Sequence, residues 1–383
     1  MKQIYFSEEH IMLRDMVREF AQNEVKPIAR EIDKSSRFPK ENIQKMSDLG
    51  LMGIPWEEKY GGTGMDTMAL VIAIEELGRV CPSTAATMMA HTSLGSAPIA
   101  AFGTTMQKQK YLTKLASGEI LGAFGLTEPN AGSDAGNTET RAVEDGDEFI
   151  INGQKAFCTN AGKAGIIIIT ARLIKNSEDK GISAFIVEAG TPGLSLGEPE
   201  KKMGWKASDT RSVYFENMRI PAENILGSPS QGFKQFLRTL TGGRITIGAL
   251  SLGTAQGGYD AALKYSKERE AFGKKINKFQ GVSFSLSDMA TQIQAAKHLV
   301  YHAAWLKDNG YDVIKEAAMA KLFASEMAMK VTTQAIQVHG GYGYIKEYDV
   351  ERFFRDAKIL EIGEGTSEIQ RIIIGREILN TIS

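Results

Sequence analysis

The chain has 383 residues, 43% of them hydrophobic and 24% charged, with a formal net charge of −1. That is the composition of an ordinary globular protein of two or three domains, and the near-neutral balance gives no bulk electrostatic reason to bind nucleic acid or an anionic membrane. Two distant cysteines, Cys81 and Cys158, support neither a disulfide framework nor a cysteine-based zinc site, and the expected setting is reducing and cytoplasmic.

Met1 to Phe6 runs straight into Ser7-Glu8-Glu9, an acidic helix start without the apolar core of a signal peptide, so export is not expected. Leu13, Val17 and Phe20 fall at helical spacing before Pro27, as do Ile43, Met46 and Leu49 before Gly50, and Met68 to Glu76 continues the theme. Between them Tyr60-Gly61-Gly62-Thr63-Gly64 lacks a Gly-Lys-Ser/Thr ending and reads as a turn rather than a P-loop. Val80 to Gln107 carries no Asp, Glu, Lys or Arg beyond Arg79 at its edge, but Pro82, Gly95, Pro98 and Gly103 interrupt it, which predicts buried helices rather than a membrane span. A further helix, Lys108 to Ala116, stops at Gly118.

Past Gly118 the period changes. Val143 and Phe149-Ile150-Ile151 flank the turn Glu144-Asp145-Gly146-Asp147, Asn152-Gly153 predicts a second turn, and Ile166 to Ile169 and Ala184 to Val187 are strand-like runs. Pro192-Gly193 and Asn217 to Pro221 are expected to interrupt the rest of this region. A mostly antiparallel, barrel-like β domain over 121–228 is predicted, between an α-helical domain over 1–120 and a helical domain over 229–383. In the last, Leu286, Met289, Ile293, Ala296, Val300 and Ala303, then Ala320, Ala324, Met327 and Val331, alternate spacings of three and four, which predicts a four-helix bundle with a turn at Asp308-Asn309-Gly310. The fold class is α+β, mainly α.

Five stretches are candidates for chemistry. Phe124 to Asp134, with Gly125, Leu126, Thr127, Gly132 and Ser133, can offer backbone N–H groups and hydroxyls to a heterocycle or phosphate, or be a polar loop. Phe157-Cys158-Thr159 suits the side of a planar ring, or a core strand. Arg269 to Lys274 with Phe279-Gln280 can present a cation to a pyrophosphate, or be a solvated helix end. Gln337 to Tyr344 ends a helix in glycines, as a ligand contact or a plain cap. Near the C-terminus, Gly363-Glu364-Gly365-Thr366-Ser367 sets a carboxylate between glycines just before a helix start; it is a candidate base or a loop acid. His298 and His302 have the spacing of a metal pair but no third ligand, and no metal site is expected. The glycines between Gly253 and Gly258 sit inside a helical pattern, not after a strand, so they are no dinucleotide fingerprint.

Taken in order, Thr127-Glu128-Pro129, Gly132-Ser133-Asp134, Asn152-Gly153-Gln154-Lys155, Thr159-Asn160, Arg269 with Phe272-Gly273, Gln337 with Gly340-Gly341, and Glu364-Gly365-Thr366-Ser367 resemble the acyl-CoA dehydrogenase family over essentially the whole chain. The resemblance implies an α, β, α architecture, FAD, a homotetramer built as a dimer of dimers, and oxidation of an acyl-CoA thioester to a trans-2-enoyl-CoA with electrons leaving to an electron-transferring flavoprotein. It implies that Phe124, Gly125, Leu126, Thr127, Gly132, Ser133, Phe157, Cys158, Thr159, Thr366, Ser367 and Glu368 contact the flavin. Arg269, Phe272, Gln280, Gln337, Gly340 and Gly341 would hold its pyrophosphate and adenosine end, partly across a subunit boundary. Glu364 matches the catalytic base, and Ser133, Thr241, Arg244, Gly365 and Arg376 match positions near the substrate. Where some relatives carry the base on the helix of Arg244, this chain has Gly243.

Two departures stand out. Phe157 replaces a common Trp, and Gly363 replaces a common Tyr, which either enlarges the space beside the reacting carbons for a branched, cyclic or aryl acyl group or is neutral. Met88, Ala90 and Leu94 are expected to line the acyl pocket. Other readings are an enoyl-CoA reductase running the reaction backwards, a flavin monooxygenase, against which Glu364 counts, and a non-catalytic helical interaction scaffold.

Overall fold

The computed structural model describes residues 5–380; Met1 to Ile4, on which the expectation about export partly rests, lie outside the described residues. The first part of the chain forms α1 (Glu8–Phe20), α2 (Lys26–Ser35), α3 (Lys40–Asp48), α4 (Thr67–Gly78), α5 (Pro82–Met89), α6 (Ala97–Phe102), α7 (Thr105–Gln107) and α8 (Thr113–Ala116). Ser7 and His10 form a capping box at the start of α1, and Asp66 caps α4. The uncharged run is largely buried, in line with its composition. His91 lies deep within it, accepting from the Gly122 N–H through Nδ1 and facing the Leu115 carbonyl through Nε2, and burial pushes its pKa down to about 4.

The middle part forms β1 (Leu121–Gly125), β2 (Arg141–Asp145), β3 (Glu148–Thr159), β4 (Ala164–Lys175), β5 (Glu178–Glu188), β6 (Leu194–Leu196), β7 (Thr210–Pro221) and β8 (Ile225–Leu226). The order across the sheet is β6-β7-β3-β2-β4-β5-β8, and the end strands do not pair with each other. The sheet therefore curls without closing: the inner faces of β3 and β7 meet those of β4 and β5, with Phe149 edge-on to Phe185. Ile167 and Ile169 point into that core while Ile166 and Ile168 pack under the helices, which explains an uninterrupted run of four isoleucines.

Two expected breaks are not breaks. Asn152-Gly153 and Asn217 lie inside β3 and β7, facing each other at a bulge where Asn152 Oδ1 accepts the Asn217 N–H at 2.8 Å. The side-chain amide replaces a ladder bond, so both strands continue through turn-like residues. Parallel pairing also intrudes: β4 takes β1 along 164–169 and β2 along 172–174 of the same edge. Residues 126–140 emerge from the gap between them.

The last part is α9 (Gly232–Glu268), α10 (Gln280–Asp308), α11 (Ile314–His339), α12 (Val350–Lys358) and α13 (Ser367–Asn380), with a short ribbon of β9 (Glu270–Ala271) and β10 (Lys274–Lys275). The predicted apolar stripes of α10 and α11 are buried. α4 also packs on α9, so the first and last helical parts share one hydrophobic core. No helix among the described residues is long and apolar enough to cross a membrane.

Candidate active site

Glu364 sits in the loop before α13 with φ of 54°, followed by Gly365 at 95°. Two consecutive left-handed residues turn the chain sharply and, at the glutamate, require outside support. Lys321, fully buried on α11, donates from Nζ to the Gly365 carbonyl at 2.8 Å. Gln370 donates from Nε2 to the same oxygen at 2.8 Å and to the Glu364 carbonyl at 3.3 Å. Thr366 stands just before α13, its carbonyl accepting the Gln370 N–H.

The Glu364 carboxylate is folded inward. Both of its oxygens are buried and neither has a hydrogen-bond partner among the described residues. A Cβ built on Gly243 of α9 would collide with Oε2, so a side chain there would push the carboxylate aside. Burial raises the pKa to about 7, opposed by the nearby Arg244 and Lys321 cations. Both cations respond: burial lowers Arg244, against the pull of Glu364, and brings Lys321 down to about 8. Arg376 bonds Glu377 and is close enough to Arg244 to disfavour its charge. Thr241 returns its hydroxyl to the Leu237 carbonyl. Gly363 is open: a Cβ there would meet only the Ile359 carbonyl, at 3.5 Å.

The loop of residues 126–140 is tied down from beneath. Lys155 and Glu128 form a buried ion pair at 2.6 Å, and the Glu128 carboxylate also accepts the N–H groups of Glu139 and Thr140. Lys155 reaches the Leu126 carbonyl as well, and Thr127 O accepts the Ala156 N–H at 2.8 Å. Gly125 lies against Lys155 and Cys158 Sγ, where a Cβ would be tightly packed at 3.1 and 3.3 Å. Phe124 stacks on Phe236, centroids 4.1 Å apart. Gly132 and Ser133 face open space.

At the strand irregularity between Lys155 and Cys158, Phe157 adopts φ of 56° and is 66% exposed. An aromatic ring held outward by a strained backbone is a surface for something planar. The Cys158 thiol points the other way, into the sheet core, where burial pushes its pKa up to about 12; only its backbone faces the ring side. Ser367 Oγ is buried without a partner among the described residues, and exposed Glu368 has its pKa lowered by the N–H groups at the start of α13.

The other expected contacts lie elsewhere. Arg269 caps the far end of α9, its guanidinium 5.6 Å from the Tyr342 ring, and Gln280 opens α10. Phe272 on the ribbon is 95% exposed, while Gly340 and Gly341 are exposed past the end of α11, the helix that carries Gln337 in its last turn. At ~1.5 Å rise per residue, Arg269 is about 37 Å along α9 from Arg244. One chain thus holds two separate clusters, one around Glu364 and one around Arg269.

A cavity of about 590 Å³ lies against α9 at Thr239, Gly242 and Thr246, with Thr92 and Ser93 on its opposite wall. Glu364, Arg244, Met88, Ala90 and Leu94 are not on its lining, although Thr239 and Thr246 share the face of α9 that carries Gly243. Lys321 and Gln370 are additions to the site expected from the sequence. Lys321 has a readable signal, a lysine in the same alanine-rich helical stripe as Ala317, Ala320 and Ala324, where a solvated side chain has no place.

The orphaned carboxylate could take a proton, and the outward Phe157 and the open loop at Gly132 are surfaces that a planar cofactor could use. The chain matches the family profiles of the acyl-CoA dehydrogenase N-terminal domain over residues 7–119, middle domain over 123–218 and C-terminal domain over 230–379. It is 54% identical to a probable acyl-CoA dehydrogenase of Bacillus subtilis over 97% of this chain and 98% of that one. It is 51% identical to a short-chain specific acyl-CoA dehydrogenase of Clostridium acetobutylicum, with the same coverage. The structure of butyryl-CoA dehydrogenase from Megasphaera elsdenii superposes with a TM-score of 0.95 at 44% identity, covering 98% of this chain and 99% of that one. The chain therefore belongs to the acyl-CoA dehydrogenase family of FAD-dependent oxidoreductases.

Proposed function

We propose that the protein oxidises a short acyl-CoA thioester to its trans-2-enoyl-CoA, with Glu364 removing the α-proton and an electron-transferring flavoprotein taking the electrons. The observation that carries this reading is the Glu364 carboxylate itself, buried, unpartnered among the described residues and poised near neutrality. In water a glutamate is too weak a base for a thioester α-proton. Raised to about 7, it is stronger yet still substantially ionised at neutral pH. Lys321 and Gln370 fix the two carbonyls beside it, so the base is held by its own loop. In this reading the backbone N–H of Glu364 meets the thioester oxygen as negative charge develops there. Bound FAD supplies the acceptor for the hydride from the β-carbon.

Residues 126–133, Phe157, Thr159 and Thr366 to Glu368 would hold the flavin end. Ser133, Thr241, Arg244, Gly365 and Arg376 would line the path of the CoA thioester. Arg269, Phe272, Gln280, Gln337, Gly340 and Gly341 would serve the adenosine end of a neighbouring copy's cofactor, which is our reason for a homotetramer built from dimers. The short acyl preference rests on the names of the similar proteins.

Anaerobic titration of the FAD-loaded protein with butyryl-CoA tests the reading by flavin bleaching. Glu364→Gln is expected to slow bleaching on the order of 10²–10⁴-fold, the usual worth of a general base. Bleaching at the normal rate in that variant would remove Glu364 from the mechanism.

A further inference from the structure

Asn160, which follows Thr159 at the end of β3, has no part in the chemistry above. It is fully buried and adopts φ of 68°, a left-handed turn that asparagine tolerates better than most side chains. Its backbone N–H donates to the Asp209 carbonyl at 2.8 Å. Its side chain donates from Nδ2 to the Thr87 carbonyl at 3.0 Å and, more weakly, to the Gly122 carbonyl at 3.4 Å. Both side-chain acceptors are carbonyls, which fixes the orientation of the amide and leaves Oδ1 buried without a partner among the described residues. An orphaned acceptor costs stability, so what this side chain contributes lies in its two donor bonds.

Those bonds complete a frame. Among the described residues β1 pairs with β4 and not with β3, yet β1 and β3 are cross-tied at two points. At one, the Thr127 carbonyl accepts the Ala156 N–H at 2.8 Å and Lys155 Nζ reaches the Leu126 carbonyl. At the other, Asn160 meets Gly122. Phe157 and Thr159, assigned above to the flavin end, lie between the ties on β3, and the stretch of β1 that leads into residues 126–133 lies between them on the other side. The second tie is anchored to the helices: Thr87 belongs to α5, the Gly122 N–H donates to His91 Nδ1 at 3.0 Å, and a Cβ on Gly95 would stand 2.5 Å from the Gly122 carbonyl carbon. The β7 ladder, which slips between Lys155 and Cys158, places β3 relative to β7 and not relative to β1.

We infer that Asn160 is a positioning residue for the flavin: its amide sets the spacing between residues 157–159 of β3 and the end of β1 that feeds residues 126–133. With no exposed surface it offers nothing for a ligand to touch, and it acts only through the segments it holds. The inference rests on the reading that Phe157 and Thr159 face the flavin.

Visible circular dichroism of the full-length, FAD-loaded protein, taken per bound flavin at FAD saturation, tests it together with the dissociation constant of FAD. Asn160→Gly keeps the left-handed turn and deletes the amide, whereas Asn160→Asp keeps the size and puts an acceptor where both carbonyls need a donor. Each is expected to bind FAD about tenfold more weakly and to change the shape of the flavin band. Val17→Ala, a core truncation on α1, should lower the melting temperature and leave both readings unchanged. Phe157→Ala should change the band by removing a neighbour of the flavin itself. A parent-like band and dissociation constant in Asn160→Gly, with the band of Phe157→Ala altered, would overturn the role of Asn160 alone. An unaltered band in Phe157→Ala would instead take the flavin away from that strand, and the inference with it. A change in Val17→Ala as large as in Asn160→Gly would reduce Asn160 to ordinary packing. Asn160→Gly keeps the test decisive if Asn160→Asp fails to fold, since glycine adopts the turn without strain.

Discussion

Glu364 combines a left-handed backbone, roughly 1–3 kcal/mol for a non-glycine residue, with a carboxylate stripped of hydrogen bonds. Its folded pKa lies above the unfolded value, so the native state holds the proton more tightly. That stabilisation is present below about pH 4.5 and lost as the pH rises towards about 7. Glu364→Gln should therefore be more stable than the parent at pH 8, by up to about 3 kcal/mol, and no different near pH 4.5; paired thermal melts at the two pH values measure this. Catalysis runs the other way: the rate of flavin bleaching should climb as pH passes through about 7 and the base ionises. Lys321→Met removes a cation that favours the anion, so the midpoint of that profile should move upward, a shift that a purely structural role would not produce. Beside the base, Gly363 is open enough to accept a side chain. Gly363→Tyr should fold normally and lower kcat/KM for bulky acyl-CoAs more than for butyryl-CoA, and an unchanged ratio would leave the glycine without a role in selectivity.

Among the elements, the loop of residues 126–140 depends on β3. Lys155 on that strand is, among the described residues, the only cation bonded to the buried Glu128, and the carboxylate in turn orders the N–H groups of Glu139 and Thr140. Lys155→Met would strand a buried carboxylate, at a cost of about 3–5 kcal/mol. The variant is expected to melt earlier and to purify with less FAD, both measurable by a thermal scan and the flavin absorbance per chain. Motifs that resemble the family as separate words in the sequence, Thr127-Glu128-Pro129 and Asn152 to Lys155, are the two halves of this one contact. Such pairing is invisible to periodicity, because an ion pair between distant strands leaves no local pattern. The helices are legible for the opposite reason, since Leu286 to Ala303 encode burial at every turn. The turns expected at Asn152 and Asn217 do not form because each asparagine is satisfied by the other across the sheet. The burial of Lys321 is legible in its alanine-rich stripe, but its partner, the Gly365 carbonyl 44 residues on, leaves no local pattern.

For the whole molecule, the distance along α9 decides how a complete site is built. Arg269 is about 37 Å from Arg244, and it shares its end of the bundle with Tyr342, Gly340 and Gly341. A single extended dinucleotide beside Glu364 cannot also touch the Arg269 cluster of its own chain. If both clusters bind FAD, each cofactor needs two copies, one giving Glu364, Phe157 and Thr366 and the other giving Arg269, Phe272 and Gln280. That arrangement predicts complementation. Arg269→Ala and Glu364→Gln should each be inactive or nearly so when expressed alone. In a mixed assembly of the two, one class of site draws Glu364 from the first variant and Arg269 from the second, and is therefore whole. Co-expressed subunits carrying different affinity tags, purified through both, should regain activity that neither parent shows, and the bleaching amplitude with butyryl-CoA should count the restored sites. If the doubly tagged assembly stays as inactive as its parents, each site must be built from one chain and the Arg269 cluster serves something other than the flavin.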